Sequence, residues 1–299
     1  MKKLSIIIVT YNSEKDIYEC LKSIYDNSDL SQDELEIIVV DNNSIHADKM
    51  FACIHNIYGD NVITIKNSVN GGYGQGNNVG IHQATAPIIL IMNPDVRLLS
   101  PSFKSICHQF ENNSQLSIIG MKQLLDDGRE SNNSFNCTSL TNGYLSTIIT
   151  ALCNRKNIYI PRLMYFSGSC FYIRKSMFEA IGLFDENIFM YGEESDIHHR
   201  MIEKFGAHFL YQKEICYKHL TLERPLDLKT EDKILNSLIY VNEKSKYSKK
   251  KTIRNKIQAI NLLIWREKIK KILFLPFEQE KVRLWLKTRH HLQDILKNS

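Results

Sequence analysis

Short apolar runs alternate with amphipathic stretches along the first hundred residues of the chain. The apolar runs cover residues 4–9, 36–40, 62–65 and 88–92. Brief, mainly aliphatic runs that end in polar residues are typical of buried parallel strands. The stretches at residues 14–25 and 46–58 have the pattern of helices. Strands that alternate with helices predict an α/β fold with a parallel, doubly wound central sheet.

Three of the predicted strands end in clusters of polar residues. These clusters lie at residues 10–12, 41–44 and 93–95. The carboxyl ends of parallel strands meet at one edge of a sheet, and open α/β sheets bind their ligands at that edge. We therefore expect the three clusters to form a single binding site.

Asp95 is the candidate metal ligand of this site. Pro94 stops the preceding strand and fixes the turn, which leaves the carboxylate of Asp95 at the strand end. A carboxylate held there is suited to bind Mg²⁺ or Mn²⁺ against a diphosphate. An ordinary turn is the alternative interpretation, because Asn, Pro and Asp are all frequent in turns.

A series of motifs follows in a fixed order along the chain. They lie at residues 9–12, 39–44, 70–80, 93–95, 168–174, 182–186 and 189–197. Taken together, they resemble the family 2 glycosyltransferases, in particular the rhamnosyltransferase-like branch. The resemblance covers residues 4–222 and implies the GT-A nucleotide-diphospho-sugar transferase fold, in which helices flank a mostly parallel central sheet. Residues 70–80 follow neither the dinucleotide nor the P-loop glycine pattern, which argues against those two classes of enzyme.

The resemblance implies a donor site built from the strand ends and the glycine-rich segment, which we expect to be a loop. Its expected members are Thr10, Tyr11, Asn12, Asp41, Asn43, Gly72, Tyr73, Asn77, Asn78, Asn93 and Asp95. Asp41 is implied to accept a hydrogen bond from a pyrimidine ring, or else it caps the next helix. Asn77 and Asn78 are expected to bond to the donor sugar or pyrophosphate, or else they shape a tight loop.

The expected metal site departs from the family pattern at one position. Asn93 stands where the Asp-x-Asp motif of the family has its first acid. Since an amide binds a divalent ion more weakly than a carboxylate, we expect Asn93 to contact the sugar or ribose. His219 lies where family members often supply a further metal ligand, although a structural histidine is the alternative. The expected cofactor is Mg²⁺ or Mn²⁺, bound by Asp95 and His219.

Glu193, Glu194 and Asp196 form the candidate catalytic group at the start of a predicted helix. The helix dipole favours acids in a first turn, which is the structural explanation for them. Glu194 matches the catalytic aspartate of the family, and this implies that it is the general base of an inverting transfer. Glu193 remains the alternative base. Repulsion among the three carboxylates would help to raise one pKa.

The C-terminal region carries most of the positive charge of the chain. Residues 244–299 contain sixteen basic and four acidic residues, a net charge of +12, against −7 for the remainder. We expect a linker at residues 242–251 and helices at residues 252–274 and 278–297. The predicted division is a catalytic domain at residues 1–242 and a basic amphipathic helical region at residues 243–299.

Basic amphipathic helices with tryptophan indicate an anionic membrane surface. We expect Trp265, Trp285 and an isoleucine stripe at residues 253–264 to insert at the headgroup level. The alternative is a helical hairpin that packs on the catalytic domain or on a second subunit. No nucleic-acid-binding motif accompanies the charge, so we expect no nucleic-acid partner.

Cysteine usage and hydropathy predict the compartment. The seven cysteines are scattered without a C-x-x-C pair, which favours a reducing environment over a disulfide framework. The chain enters a strand directly and has no apolar stretch of about 18 residues, so we expect neither a signal peptide nor a membrane span. The expected location is cytoplasmic, peripheral at the inner face of the cell membrane.

The sequence thus predicts an inverting glycosyltransferase. The expected donor is dTDP-rhamnose or a related deoxy- or UDP-sugar, and the expected acceptor is a surface-polysaccharide or lipid-linked glycan such as an O-antigen intermediate. A UDP-hexose, UDP-HexNAc or galactofuranose transferase of the same fold is the alternative. A nucleotidyltransferase would have a basic glycine-rich loop after the first strand, whereas residues 10–13 contain neither glycine nor lysine. A non-catalytic membrane-bound scaffold is the remaining alternative.

Overall fold

The computed structural model describes residues 1–138, 142–220 and 228–298. The strands are β1 (Leu4–Thr10), β2 (Leu35–Asp41), β3 (Val62–Lys66), β4 (Ile88–Met92), β5 (Val96–Leu98), β6 (Ile118–Leu124), β7 (Phe135–Cys137), β8 (Met164–Phe166), β9 (Cys170–Arg174) and β10 (Phe209–His219). The helices are α1 (Ile17–Asp26), α2 (Ala47–Tyr58), α3 (Gly72–Gln83), α4 (Phe103–Asn112), α5 (Gly143–Lys156), α6 (Lys175–Ala180), α7 (Glu193–Phe205), α8 (Leu228–Lys244), α9 (Lys249–Ile272) and α10 (Gln279–Lys297). A 3₁₀ turn at Gly59–Asn61 links α2 to β3.

An eight-stranded sheet forms the centre of the structure, in the order β3-β2-β1-β4-β9-β6-β10-β5. The first four strands in this order are parallel, as the sequence pattern predicted. Strand β9 runs antiparallel between β4 and β6, and β10 runs parallel to β6 and antiparallel to β5. Strands β7 and β8 form a separate two-stranded sheet. The expectation of a mostly parallel, helix-flanked sheet is confirmed.

The parallel half of the sheet is buried on both faces. Ile6 and Ile8 of β1 belong to one hydrophobic cluster, which includes residues of α1, α2 and α4. Ile7 belongs to a second cluster on the opposite face, which includes residues of α3, α6 and α7. Because side chains alternate across a strand, a continuous apolar run is what two covered faces require.

The glycine-rich segment forms a helix, so the expectation of a loop at residues 70–80 was wrong for most of its length. Helix α3 starts at Gly72, whose φ of +92° favours glycine. A Cβ atom at Gly80 would lie 2.6 Å from Cγ2 of Ile7 in β1, and one at Gly76 would lie 2.8 Å from Cγ1 of Val9. The glycines therefore let the helix lie close against the sheet, and this packing outweighs their low helix propensity.

Three helices at the C terminus share a hydrophobic cluster of their own. Its buried members are Leu235, Ile253, Ile260, Ile264 and Leu292, with Trp285 and Ile257 packed against them. The expectation that the isoleucine stripe and Trp285 insert into a membrane was therefore wrong, because these side chains hold α8, α9 and α10 together. Within the described residues, none of the helices combines the length and apolar character needed to cross a bilayer.

The C-terminal helices are also attached to the rest of the chain. Helix α8 spans the expected domain boundary at residue 242. Only residues 245–248 separate α8 from α9, so the linker is shorter than the predicted range of residues 242–251. The Ser248 side chain caps α9 by accepting a hydrogen bond from the backbone N–H of Lys251. Helix α9 lies tightly against the start of α5, where the Gly143 N–H donates to Oε1 of Gln258 at 2.8 Å.

Candidate active site

A cavity of about 570 Å³ opens at the carboxyl edge of β1, β2 and β4. Residues from all three predicted polar clusters or their immediate neighbours line it, together with residues of α3 and α7 and the end of β10. The predicted site residues in this lining are Tyr11, Gly72, Tyr73, Asn93, Asp95, Glu193, Glu194 and His219. The structure therefore brings the candidate donor, metal and catalytic residues to one place.

Asp95 and His219 form a close pair in this cavity. Strand β5 pairs with β10 so that Val96 lies opposite His219, which brings the neighbouring Asp95 beside the imidazole. Nε2 of His219 lies 3.3 Å from Oδ1 of Asp95. Both atoms are buried, and among the described residues neither has a hydrogen-bond partner. Buried polar atoms are usually satisfied, so these two are suited to receive a ligand.

A divalent cation fits the chemistry of this pair. A carboxylate oxygen and an imidazole nitrogen are ligands that Mn²⁺ accepts, and a carboxylate also suits Mg²⁺. Within residues 1–138, 142–220 and 228–298, no third His, Cys, Asp or Glu joins them in a cluster. Two protein ligands leave most coordination positions to water and to the phosphate oxygens of a substrate, as is usual for Mg²⁺.

Glu193 begins α7 and faces the cavity with one unpaired oxygen. Its side chain is almost fully buried, and Oε1 has no hydrogen-bond partner among the described residues. Burial, reinforced by the charge of Glu194, raises the pKa of Glu193 well above its usual value. The carboxyl group therefore favours the protonated form.

Glu194 lies against the backbone of Gly168. A Cβ atom at that glycine would come within 1.9 Å of Oε1 of Glu194, so no other residue fits there without displacing the carboxylate. Burial raises the pKa of Glu194, and the Gly168 N–H partly opposes this by donating to the carboxylate. Oη of Tyr73 donates to the carbonyl of Gly168 at 2.6 Å. Tyr73 thus binds the backbone carbonyl of Gly168, and Glu194 binds its N–H.

Comparison with known proteins shows the family of this chain. Residues 5–182 match the model of the family described as glycosyl transferase family 2. The chain belongs to this family. The hexosyltransferase Agl10 of low-salt glycan biosynthesis in Haloferax volcanii is 31% identical over 204 residues, which cover 66% of this chain and 61% of Agl10. The chain thus spans about three fifths of the length of that relative.

Solved structures share the fold of this family 2 glycosyltransferase. The structure of S. aureus TarS residues 1–349 with UDP-GlcNAc has a TM-score of 0.55 at 17% identity, and the match covers 97% of this chain and 80% of TarS 1–349. The structure of GalNAc-T7 with UDP, GalNAc and Mn²⁺ has a TM-score of 0.61 at 14% identity, with 81% of this chain and 48% of that chain covered. At these identities the likeness shows the fold alone, which is GT-A.

Asp196 does not line the cavity, contrary to the expectation that it belongs to the catalytic group. Oδ2 of Asp196 accepts hydrogen bonds from Nε and Nη2 of Arg200 at 2.8 and 2.5 Å. Oδ1 accepts from Nζ of Lys244, which also donates to Asp185 at 2.7 Å. Because both oxygens of Asp196 are engaged by cations, this residue joins α8 to α7 and is not available to an acceptor.

Asp41 is likewise turned away from the cavity. Its fully buried carboxylate accepts hydrogen bonds from Oγ1 of Thr10 at 2.9 Å and from the N–H and Oγ of Ser44 at 2.7 and 2.6 Å. The adjacent Asn12 and Asn43 adopt left-handed conformations with φ of +51° and +63° and do not line the cavity. Asp41 thus shapes the turn after β2 and does not cap α2, which has no side-chain cap hydrogen bond, so the capping alternative was wrong. Contact with a pyrimidine would require this network to rearrange.

Asn77 and Asn78 also make contacts within the protein. Asn78 exchanges two hydrogen bonds of 3.0 Å with the backbone of Phe184, and Nδ2 of Asn77 donates to the carbonyl of Tyr73 at 2.9 Å. Neither residue lines the cavity. Asn78 therefore fixes α3 to the segment around residue 184, whereas Asn77 bonds within α3. Both residues are helical and neither has a positive φ, so the alternative of a tight loop was wrong.

Several residues that line the cavity were not predicted from the sequence. Asn42 lies in the lining and donates from Nδ2 to the carbonyl of Gly72 at 2.9 Å, so it joins the end of β2 to the start of α3. Gly168 was recognised only as part of a motif. Lys233 reaches the cavity from α8, with Nζ 5.8 Å from the ring centre of Phe189. Nothing in the sequence of α8 distinguishes this lysine from the other lysines of the same helix.

Proposed function

We propose that this chain transfers a hexosyl or deoxyhexosyl group from a nucleotide-diphosphate sugar to a hydroxyl of a glycan, with inversion at the anomeric carbon. The observation that carries the proposal is the cavity that brings the Asp95–His219 pair together with the Glu193–Glu194 pair. Transfer needs positive charge for a departing diphosphate and a base for an acceptor hydroxyl, and these two pairs are suited to those tasks.

The donor site is proposed at Tyr11, Gly72, Tyr73, Asn93 and Asp95. The TarS and GalNAc-T7 structures contain UDP-GlcNAc and UDP, respectively, and these ligands support a nucleotide-sugar donor. We propose dTDP-rhamnose or a related sugar as one donor class. UDP-hexose or UDP-HexNAc is the second candidate, and the name hexosyltransferase given to Agl10 favours it.

Asp95 and His219 would hold Mg²⁺ or Mn²⁺, which when bound supplies positive charge to the leaving diphosphate. The unpaired Oδ1 and Nε2 atoms support this role, as does the Mn²⁺ named in the GalNAc-T7 structure. Asn93 adjoins this pair in the lining and is proposed to bond to the sugar or ribose through its amide.

Glu194 is proposed as the general base, which takes the proton of the acceptor hydroxyl as that oxygen attacks the anomeric carbon. Two adjacent carboxyl groups resist double ionisation, so one of them holds its proton to a higher pH than an isolated glutamate does. The pKa of Glu193 is raised well above its usual value, by burial and by Glu194, which makes it the protonated member. The Gly168 N–H favours the ionised form of Glu194.

The acceptor is proposed to be a surface-polysaccharide or lipid-linked glycan, with the enzyme peripheral at the membrane. The basic C-terminal region, of net charge +12 over residues 244–299, supports this placement. We retain residues 1–242 as the transfer unit and residues 243–299 as the accessory unit. Helix α8 joins the two units and contributes Lys233 to the cavity.

Direct assay tests this function. The full-length chain is incubated with dTDP-rhamnose, UDP-glucose or UDP-GlcNAc, Mn²⁺ and a lipid-extract acceptor, and the released nucleoside diphosphate is measured. We expect release from one donor class above that of a heat-inactivated control. If the chain gives neither release nor a ligand-induced shift of the melting temperature with any of these donors, the proposal is wrong.

A further inference from the structure

An apolar surface projects from the C-terminal region where α9 turns into α10. We call residues 265–277 the α9–α10 tip. Seven of its apolar side chains are exposed: Trp265 (69%), Ile269 (51%), Ile272 (72%), Leu273 (60%), Phe274 (97%), Leu275 (51%) and Phe277 (36%). Isolated exposed apolar residues need no explanation, but a contiguous group of this kind marks an interaction surface.

The tip is a defined turn and not a frayed helix end. The Leu275 N–H donates to the carbonyl of Lys270 at 2.9 Å, which closes the last turn of α9. The buried carboxylate of Glu267 accepts a hydrogen bond from Nζ of Lys270 at 2.8 Å and one from the N–H of Glu278 at 3.2 Å. These bonds tie the start of α10 to the end of α9.

Phe274 occupies a position that glycine usually takes. Its φ is +55°, in the left-handed region just after the helix end, where a side chain is unfavourable. The same residue is the most exposed side chain of the tip. A bulky ring that is both conformationally unfavourable and solvent-exposed contributes nothing to the fold that glycine would not, which indicates a role outside the folded chain.

The packing of α9 places the tip away from the catalytic unit. Helix α9 contacts the start of α5 through Asn255 and Gln258. From residue 258 to its end at Ile272, the helix extends about 20 Å further. The apolar residues of the preceding turns, Ile253, Ile260 and Ile264, are buried in the helical cluster. The apolar side chains of the tip lie beyond the part of α9 that this cluster buries, so they stay exposed.

The positive charge around the tip indicates which kind of partner the tip binds. Residues 265–283 contain six basic and three acidic residues, a net charge of +3, within a region of net charge +12. Arg266, Lys268 and Lys271 are exposed beside the apolar residues. A second copy of this chain would bring two strongly basic regions together, which electrostatic repulsion opposes. An anionic bilayer offers both the apolar interior and the negative surface that complement the tip.

We propose that the α9–α10 tip docks on an anionic lipid bilayer by inserting Phe274 and its apolar neighbours at the headgroup level, with the flanking lysines and arginine at the anionic surface. The inference rests on the proposed function, since an enzyme acting on lipid-linked acceptors works at such a surface. The membrane contact is thus assigned to the tip and not to the isoleucine stripe of α9.

Co-sedimentation of the full-length chain with vesicles tests the proposal. The vesicles contain phosphatidylcholine alone or with phosphatidylglycerol. We expect binding to the anionic vesicles, and a loss of about tenfold or more in Phe274→Gly, because one buried aromatic side chain accounts for that much affinity. Glycine suits the φ of residue 274, so the melting temperature of this variant should be unchanged or higher.

A matched pair of isoleucine variants provides the control. Ile272→Ser should weaken vesicle binding, whereas Ile57→Ser on α2, at a residue of similar exposure (61%), should not. Wild-type binding by both tip variants, or equal binding to neutral vesicles, would overturn the proposal. A wild-type dimer that Phe274→Gly converts to a monomer, without vesicle binding, would overturn it in favour of self-association. Vesicle binding is measured without a sugar donor, so failure of the proposed transfer would leave this result standing.

Discussion

The Nε2 atom of His219 lies 3.3 Å from the Oδ1 atom of Asp95, and neither atom has a hydrogen-bond partner in the described part of the chain. The pair exists because β5 and β10 align Val96 with His219 at the edge of the sheet. Two residues more than a hundred positions apart are thereby held together as the proposed metal site.

Asp95→Asn should abolish metal-dependent binding of the donor. An amide keeps the shape of the side chain but removes the charge that attracts a divalent ion. The increase in melting temperature caused by UDP-sugar with Mn²⁺ should disappear, and EDTA should remove the same increase from the wild type. Asp48→Asn, which removes an exposed carboxylate paired with Lys66, is the control and should behave as the wild type. A full thermal shift in EDTA would exclude the metal.

Replacing Glu193 should change the pH dependence of stability. The folded-state pKa of Glu193 is raised above its ordinary value of 4.5, so the folded state binds more protons than the unfolded state. The stability contribution of this group is complete below about pH 4.5 and declines as the pH rises through the folded pKa. Glu193→Gln should therefore unfold at higher denaturant concentration than the wild type at pH 8, with a smaller difference at pH 4.5.

Glu203→Gln on the exposed surface of the same helix is the matched control for that series. It should show the wild-type pH dependence. A constant difference between Glu193→Gln and the wild type from pH 4.5 to pH 8 would show that the Glu193 carboxyl titrates normally in the folded chain.

Lys244→Met should destabilise the connection between α8 and α7. The substitution leaves Asp196 buried with Arg200 as its remaining cationic partner and also removes the bond to Asp185. We expect a loss of about 2 kcal/mol in the free energy of unfolding, measured by urea titration. Lys22→Met breaks an exposed pair with Asp26 and should cost less than about 0.5 kcal/mol. Equal effects of the two substitutions would argue against the Lys244 bridge.

Gly80→Ala should destabilise the chain although alanine is the better helix former. The new Cβ would lie 2.6 Å from Cγ2 of Ile7, in a core with no space for it. Overpacking should lower the free energy of unfolding by about 1–3 kcal/mol. Gln83→Ala, at an exposed position of the same helix, should be neutral or stabilising. A stabilised Gly80→Ala variant would mean that α3 is not held against β1.

The sequence pattern was sufficient for the parallel half of the fold. The apolar runs at residues 4–9 and 88–92 agree with β1 and β4 to within one residue, because a strand buried on both faces is apolar throughout. The convergence of the strand-end clusters followed from parallel topology alone. Asp95 could be placed at this edge because the proline before it ends the strand.

The remaining features depend on contacts that local sequence does not encode. Helix α3 is glycine-rich because it must lie close to Ile7 and Val9, and propensity predicts the opposite conformation. Asp196 resembles Glu193 and Glu194 in sequence, but it pairs with Arg200 and with Lys244, 48 residues later, and does not line the cavity. Helical spacing of the isoleucines identified an apolar face of α9 but not whether that face meets protein or lipid.

Turnover by Glu194→Gln tests the central claim most directly. The full-length variant and Glu193→Gln are compared with the wild type for donor-induced thermal shift and for release of nucleoside diphosphate with acceptor. We predict that Glu194→Gln retains the donor-induced shift and loses turnover by about 10²- to 10⁴-fold, because the amide cannot take the acceptor proton. Near-wild-type turnover by Glu194→Gln, with Glu193→Gln inactive, would contradict the account and assign the base to Glu193.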